Sequence, residues 1–128
     1  MKLFTKMKDG GKDSTVTGYW LIECKSLFSI CVLKFEGVSR EAYHNHAFHS
    51  ISWVISGQLV ELMLDNRIFT YKPSIFPILT SRKDMHQVSS STGNTWVFTL
   101  RGPWNKTWCE FIPETDEYVT LSKGRVKL

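Results

Sequence analysis

Histidines concentrate in one short stretch, Tyr43 to Gly57, which reads YHNHAFHSISWVISG. Three of the chain's four histidines lie within six residues there, and His44 and His46 are two positions apart. Because residues i and i+2 of a β-strand point to the same face, these two imidazoles are expected to project together, while His49 projects the opposite way. Two such imidazoles can reach one metal ion at about 2.0–2.1 Å, and they then need a third ligand from elsewhere in the fold.

The remaining histidine, His86, is the natural third ligand. It lies in DMHQV, forty residues after His46, in a stretch typical of a strand. An antiparallel barrel readily returns a strand at that separation to lie near the first. The face that His44 and His46 share continues through Ser50 and Ser52, and small hydroxyl side chains suit a pocket more than a packed core.

Short strands are predicted to position these residues. Nine segments rich in β-branched and aromatic residues, separated by turn formers, are predicted as strands: Gly18–Glu23, Leu27–Phe35, Ile51–Ile55, Leu59–Leu64, Ile68–Tyr71, Ile75–Leu79, His86–Val88, Thr95–Leu100 and Trp108–Ile112. Asp65-Asn66 indicates a tight hairpin turn between two of them. The spacing of eight to twelve residues is that of an antiparallel sandwich or barrel, and no segment has a helical period over eleven residues. The chain is therefore predicted to be all-β, a single domain over residues 1–128, with residues 1–14 as a flexible arm.

The strand at 95–100 separates an apolar from a polar face. Trp96, Phe98 and Leu100 alternate with hydroxyl residues and valine, so these three side chains are expected in the core. Arg101 follows the opposite face, which places it either in the pocket or on the surface. Arg101 and Arg82 are candidate anchors for an anionic substrate, because the guanidinium fork matches a carboxylate or phosphate.

Two further residues are candidates for contact with a bound small molecule. Tyr43 directly precedes the first histidine, and Ser50 lies on the face of the histidine pair. Tyrosine is also an ordinary residue of strands, so Tyr43 has a structural interpretation as well.

Composition excludes several classes of protein. The 128 residues carry a net charge of +4, and the basic residues are spread over both ends and the middle, a pattern typical of solvated tails rather than of a nucleic-acid interface. No signal-peptide core and no apolar run of about 20 residues is present, so a cytoplasmic protein with no membrane segment is expected. The three cysteines lack CxxC spacing, which disfavours zinc-finger and disulfide frameworks.

The histidine stretch resembles the first motif of small single-domain cupins. That motif consists of a glycine, about six residues, HxH, three or four residues, a glutamate, six residues and a second glycine. In this chain Gly37 is the first glycine, His44-Asn45-His46 is the HxH and Gly57 is the last glycine. Pro73, Pro77 and His86 follow in the order of the second motif, although the glycine expected before its histidine is missing. The later stretch FTLRGPWNKTWCEF is similar to that of small uncharacterised cupins often encoded by phages. The resemblance covers residues 28 to 112 and implies a double-stranded β-helix, an antiparallel barrel with the pocket inside.

The chain departs from the motif at Ser50, where the family has its metal-binding glutamate. The resemblance therefore implies a divalent metal held by His44, His46 and His86 alone. Among cupins, a three-histidine shell resembles that of thiol dioxygenases, which implies Fe²⁺ as the first choice and an oxidative step on a small molecule, with Zn²⁺, Mn²⁺ or Ni²⁺ as alternatives.

Two other functions remain open. The chain could be a non-catalytic ligand-binding or regulatory cupin. It could also be a metal-free sugar-nucleotide isomerase or epimerase, with one HxH histidine as general base and Tyr43 as acid. A homodimer formed through edge strands is expected for such a barrel.

Overall fold

Thirteen β-strands make up the ordered architecture in a computed structural model, which describes residues 1–9, 14–37, 43–112, 115–122 and 126–127. The strands are β1 (Lys2–Lys8), β2 (Val16–Cys24), β3 (Phe28–Phe35), β4 (Tyr43–His44), β5 (Ser50–Ser56), β6 (Leu59–Met63), β7 (Ile68–Tyr71), β8 (Ile78–Thr80), β9 (His86–Ser90), β10 (Thr95–Arg101), β11 (Thr107–Ile112), β12 (Glu117–Ser122) and β13 (Val126–Lys127). The described residues contain no helix, so the all-β prediction is confirmed.

Two antiparallel sheets face each other. The first has the strand order β1-β2-β3-β10-β5-β8, and the second has the order β13-β12-β11-β4-β9-β6-β7. The buried cluster between them takes most of its side chains from the first sheet and two, Leu59 and Val88, from the second. The sheets thus enclose one shared interior, and the histidines must lie on the walls of that interior to act together.

The HxH segment joins the two sheets. The sequence predicts one alternating strand from the histidines onwards, but β4 belongs to the second sheet and β5 to the first. Between them the backbone bends at Ala47 and Phe48, and backbone N–H groups of Asn105 and Gly102 donate to the carbonyls of Ala47 and His49 at 2.5 and 2.9 Å. The prediction of a continuous strand is therefore corrected: the chain crosses from one wall to the other there.

Gly57 returns the chain from β5 in the first sheet to β6 in the second. Its φ is +87°, and an added Cβ would lie 2.5 Å from the carbonyl oxygen of Asn94 and 2.6 Å from Thr95 Oγ1. Only glycine combines that φ with such a close approach of another backbone. The hairpin predicted at Asp65-Asn66 is confirmed between β6 and β7, with Asn66 at φ +73°.

The two faces of β10 are the reverse of the prediction. Thr95, Val97, Thr99 and Arg101 are buried towards the interior, while the Trp96, Phe98 and Leu100 set lies on the outer face and is only half-buried. Alternation separates two faces, but it does not reveal which one the opposite sheet covers. Here the covered face borders the cavity between the sheets, and its hydroxyl groups and arginine line that cavity.

The N-terminal strand β1 pairs with β2 over residues 2 to 8, a region that the sequence assigns to an arm. Residues 10 to 13 of that arm lie outside the described residues. No described segment forms a helix long and apolar enough to cross a membrane.

Candidate metal centre

Three histidines from three different places converge inside the fold. His44 on β4 is the direct cross-strand partner of His86 on β9, and His46 follows from the crossing segment. The ring centroids of His44 lie 4.9 Å from those of both His46 and His86, and the Nε2 atoms of His46 and His86 are 2.8 Å apart. One ligand nitrogen from each of the three residues lies within 4.8 Å of the others. The prediction that these three histidines meet is confirmed.

A buried carboxylate holds one of the three rings. Glu61 on β6 lies beside β9, and its Oε2 is 2.5 Å from Nδ1 of His86. The hydroxyl of Tyr71 donates to the other oxygen, Oε1, at 3.1 Å. When Nδ1 of His86 donates its proton to Glu61, Nε2 of that ring is unprotonated and carries the lone pair that faces Nε2 of His46 at 2.8 Å.

Glu61 stays ionised although its side chain is buried. Burial alone raises the pKa of this carboxyl, but the hydrogen bond from His86, the electrostatic attraction of that ring and the hydroxyl of Tyr71 outweigh it and leave the pKa below its usual value. Burial, together with the neighbouring carboxylate, raises the pKa of Tyr71 to about 12. At neutral pH, therefore, Glu61 is an acceptor and Tyr71 is a donor, which fixes the direction of the chain of hydrogen bonds that ends at His86.

The histidines open into a cavity of about 370 Å³ between the sheets. This volume lies within the range of small-molecule sites in proteins. Aromatic side chains line the wall next to His46: Phe48 stacks on its ring at 5.0 Å between centroids, and Trp104 packs against Phe48 at 5.2 Å. Ser52 and Thr99 add hydroxyl groups 3.0 Å apart. The cavity thus combines an apolar wall with a few fixed polar groups.

Arg101 lies in the cavity wall, and only 4% of it is exposed. Its Nη2 donates to Oδ2 of Asp9 at 2.8 Å, its guanidinium carbon lies 4.5 Å from the centroid of Phe48, and its Nε has no hydrogen-bond partner among the described residues. Burial lowers the pKa of this arginine, but the carboxylate of Asp9 more than compensates, so the pKa ends above its usual value and the group stays charged. Of the two locations that the sequence left open for Arg101, the pocket is the one observed.

The other candidate residues divide between the cavity and the outside. Ser50 lines the cavity. Tyr43 does not, because it precedes His44 on β4 and successive side chains of a strand point to opposite faces, so its expected contact with a ligand is not supported. His49 faces outwards and its Nδ1 accepts from the backbone N–H of Arg82, and Arg82 itself is exposed.

Sequence reasoning missed Glu61 and Asp9. A signal for Glu61 was present, since an acidic residue two positions after Leu59 in an apolar strand must share its buried face. No comparable signal marked Asp9, because its partner is 92 residues away.

No protein-family model matches the chain, and no curated protein matches it. Solved structures do. A sugar phosphate isomerase of the cupin superfamily from Silicibacter pomeroyi superposes with a TM-score of 0.63 at 15% identity, covering 89% of this chain and 76% of that one. An RmlC-like cupin from Shewanella frigidimarina gives 0.59 at 14%, covering 75% and 81%, and the polyketide cyclase RemF from Streptomyces resistomycificus gives 0.63 at 17%, covering 78% and 73%.

The fold is that of a cupin. At these identities the likeness is one of fold alone, and the named activities, those of a sugar phosphate isomerase and of a polyketide cyclase, differ from one another. The three imidazoles fit a divalent metal ion as a donor set, because they are close together and a carboxylate orients one of them. What the protein does with such a site is a separate question.

Proposed function

We propose that this cupin binds one divalent metal ion through His44, His46 and His86 and acts on a small anionic molecule in the adjoining cavity. The observation that carries the proposal is the convergence of the three imidazoles together with the carboxylate of Glu61 on Nδ1 of His86. A histidine that binds a metal commonly donates its other N–H to a carboxylate, which fixes the tautomer. A purely structural histidine has no need of this arrangement beside two others.

The charges of the cavity favour an anionic substrate. Its lining contains three basic side chains and three acidic ones, so the charges of the protein side chains roughly cancel. Three neutral imidazoles leave a bound ion its full charge of +2. The ion would then supply Lewis acidity or, in the case of Fe²⁺, which is our first choice, activation of dioxygen beside the substrate.

The chain's own residues would bind and orient that substrate. Nε of Arg101, in the cavity wall, has no hydrogen-bond partner within the part of the chain that the structure describes, and Ser50 and the Ser52–Thr99 pair offer hydroxyl groups. Phe48 lies next to both His46 and Arg101. The ring centroid of His46 and the guanidinium carbon of Arg101 are 5.0 and 4.5 Å from the ring centroid of Phe48. A small molecule with an anionic group could therefore reach Arg101 and the histidines at once, with the aromatic wall excluding water.

Metal analysis tests this proposal. The protein, purified without chelator and then exposed anaerobically to Fe²⁺ and separately to Zn²⁺, is expected to hold close to one ion per chain. His46→Ala should lose that ion. His49→Ala is the matched control, because this histidine lies three residues away and faces outwards. Absence of metal in every preparation, or equal metal content in the two variants, would exclude the three-histidine site.

The identity of the metal then selects the reaction class. Iron together with oxygen consumption in the presence of small thiols would support the oxidative function, whereas zinc would favour hydrolytic or Lewis-acid chemistry. Stoichiometric metal without turnover of any candidate substrate would instead favour a ligand-binding cupin.

A metal-free isomerase or epimerase is the second candidate, and one observation favours it. His86 and Glu61 form a histidine–carboxylate pair of the kind that supports a general base, and His46 lies within hydrogen-bonding distance of His86. Tyr43 cannot be the acid partner from its position outside the cavity. Proton exchange at a sugar carbon in chelator-treated protein would support this candidate and count against the metal-dependent one.

A further inference from the structure

The guanidinium of Arg101 is fixed inside the fold. Arg101 is the last residue of β10, and its side chain is only 4% exposed. The guanidinium carbon lies 5.6 Å from the ring centroid of Trp20 and 4.5 Å from that of Phe48. Because a closely packed interior leaves a side chain little freedom to turn, an anion that binds Arg101 must approach the guanidinium where it lies.

Asp9 supplies the carboxylate that contacts this guanidinium. Its Oδ2 accepts from Nη2 of Arg101 at 2.8 Å, and its Oδ1 accepts from Nη1 at 3.5 Å. The side chain of Asp9 is 30% exposed, and its backbone is held separately, since its N–H donates to the carbonyl of Val16 at 2.9 Å. The carboxylate can therefore rotate into solvent while that backbone hydrogen bond stays in place.

From this arrangement we propose that Arg101 binds the carboxylate of a small carboxylic acid, and that Asp9 is a gate that releases the guanidinium to this ligand. The inference rests on the proposed function, because the ligand lies in the same cavity. It specifies the anionic group of the ligand and the residue of the chain that competes with it.

Unpaired donors beside the Asp9 contact show where the ligand carboxylate fits. Asp9 uses Nη1 and Nη2 of Arg101, whereas Nε of Arg101 and the indole N–H of Trp20 are buried without a hydrogen-bond partner in the described ranges. Leaving buried donors unpaired costs free energy, so a native fold seldom retains two of them on one cavity wall. A carboxylate can bind the edge formed by Nε and Nη2 with both of its oxygens.

Electrostatic repulsion explains why the ligand displaces Asp9. Glu23 pairs with Ser29 on β3, which also pairs with Arg101, and the buried Glu23 side chain acts electrostatically on the guanidinium. A ligand carboxylate would be a third anion beside one cation in a buried place, where like charges repel strongly. Asp9 is the one with access to solvent, so Asp9 is the carboxylate that leaves.

The same charges favour a carboxylate over a phosphate. Exchanging Asp9 for another carboxylate leaves the total charge around Arg101 unchanged, whereas a phosphate with two charges adds a further negative charge. The two lysines of the cavity lining are engaged with other neighbours. Nζ of Lys8 donates to Thr17 Oγ1 at 3.3 Å, and Nζ of Lys25 lies 4.6 Å from the ring centroid of Trp104.

Acetate titrations of the full-length protein, read by thermal unfolding at constant ionic strength, test the proposal. Asp9→Ala removes the competing carboxylate and should bind acetate about tenfold more tightly than the unmodified protein. The double variant Asp9→Ala/Arg101→Met keeps all three histidines but lacks the guanidinium, so it should lose that gain. Asp65→Ala is the matched control, because it breaks the exposed pair with Arg67 and should respond to acetate as the unmodified protein does.

The test also applies to a variant that does not stay folded on its own. In that case the refolding yield of Asp9→Ala in sodium acetate, compared with sodium chloride, is the readout, and Asp9→Ser is the second variant. A higher yield in acetate is expected, and the same yield in both salts for both variants would count against a carboxylate site.

Two further outcomes would overturn the proposal. Equal acetate affinity in Asp9→Ala and in the unmodified protein would leave Asp9 and Arg101 as a structural ion pair only. Equal stabilisation of Asp9→Ala by phosphate would refute the assignment to a carboxylate. Metal content per chain, measured on the same samples, is expected to be unchanged in Asp9→Ala, so a failed carboxylate site and a failed three-histidine site are separate results.

Discussion

Replacing Glu61 with glutamine tests the link between the fold and the proposed metal site most directly. The substitution keeps the size of the side chain but removes the charge that faces His86 Nδ1 at 2.5 Å. The ring then loses a charge-assisted hydrogen bond in a buried place, and with it the preference for presenting Nε2 to the metal.

The expected loss follows from that geometry. Removing a carboxylate that orients a metal-binding histidine typically lowers metal affinity about 10- to 100-fold, which is about 1.4–2.7 kcal/mol. A hydrogen bond to a charged group contributes about 1.5–3 kcal/mol to stability, so the expected loss of metal-binding free energy is about the size of one such bond. Tyr71→Phe removes only the bond to the far oxygen of Glu61, at 3.1 Å, and should cost less than about tenfold.

Competition against a chromogenic chelator measures the dissociation constants for Zn²⁺ and, under anaerobic conditions, for Fe²⁺. Glu36→Gln is the matched control, because it is the same exchange at an exposed carboxylate that does not line the cavity. If Glu61→Gln binds the metal as tightly as the unmodified protein while His46→Ala does not bind it, Glu61 does not orient His86. The reasoning from hydrogen-bond direction would then be refuted.

Three further predictions concern stability and reactivity. Asp9→Asn leaves the buried guanidinium of Arg101 without its counter-charge and should lower the free energy of unfolding by about 3 kcal/mol in urea titrations; a change below about 1 kcal/mol would show that the pair is dispensable. Gly57→Ala should lower the free energy of unfolding by about 2–5 kcal/mol, since backbone strain at φ +87° adds to the close contacts of the new Cβ. Gly93→Ala, at φ +88° with nothing within 4 Å, should lower it by only about 1–2 kcal/mol. Equal losses in the two variants would contradict this account. Cys31 is 0% exposed, and burial raises the pKa of its thiol to about 11. Iodoacetamide at pH 8 should therefore modify Cys31 only in unfolded protein. Alkylated Cys31 in the mass spectrum of native protein would contradict this prediction.

The local patterns of the chain determine most of the strands. Each of the nine predicted segments overlaps a strand, because runs of β-branched and aromatic residues between turn formers have few alternatives to a pleated sheet, although Ile75–Leu79 shares only Ile78 and Leu79 with β8. The convergence of His44, His46 and His86 also followed from spacing and from the cupin-like motif. Three strands were missed: β1, β12 and β13. The last of them contains only two residues, too few for any periodicity to register.

Other features depend on contacts between distant parts of the chain. Only the tertiary structure determined these features. Alternation along β10 distinguished its two faces, but the position of the second sheet determined that Arg101 points into a cavity and Trp96 points out. The same holds for Glu61, which meets His86 across β6 and β9, and for Asp9, which meets Arg101 from 92 residues away. A sequence records periodicity within an element, whereas charge pairing and burial depend on which elements become neighbours. For this reason the convergence of the three histidines could be predicted, while the pairing of Glu61 with His86 and of Asp9 with Arg101 could not.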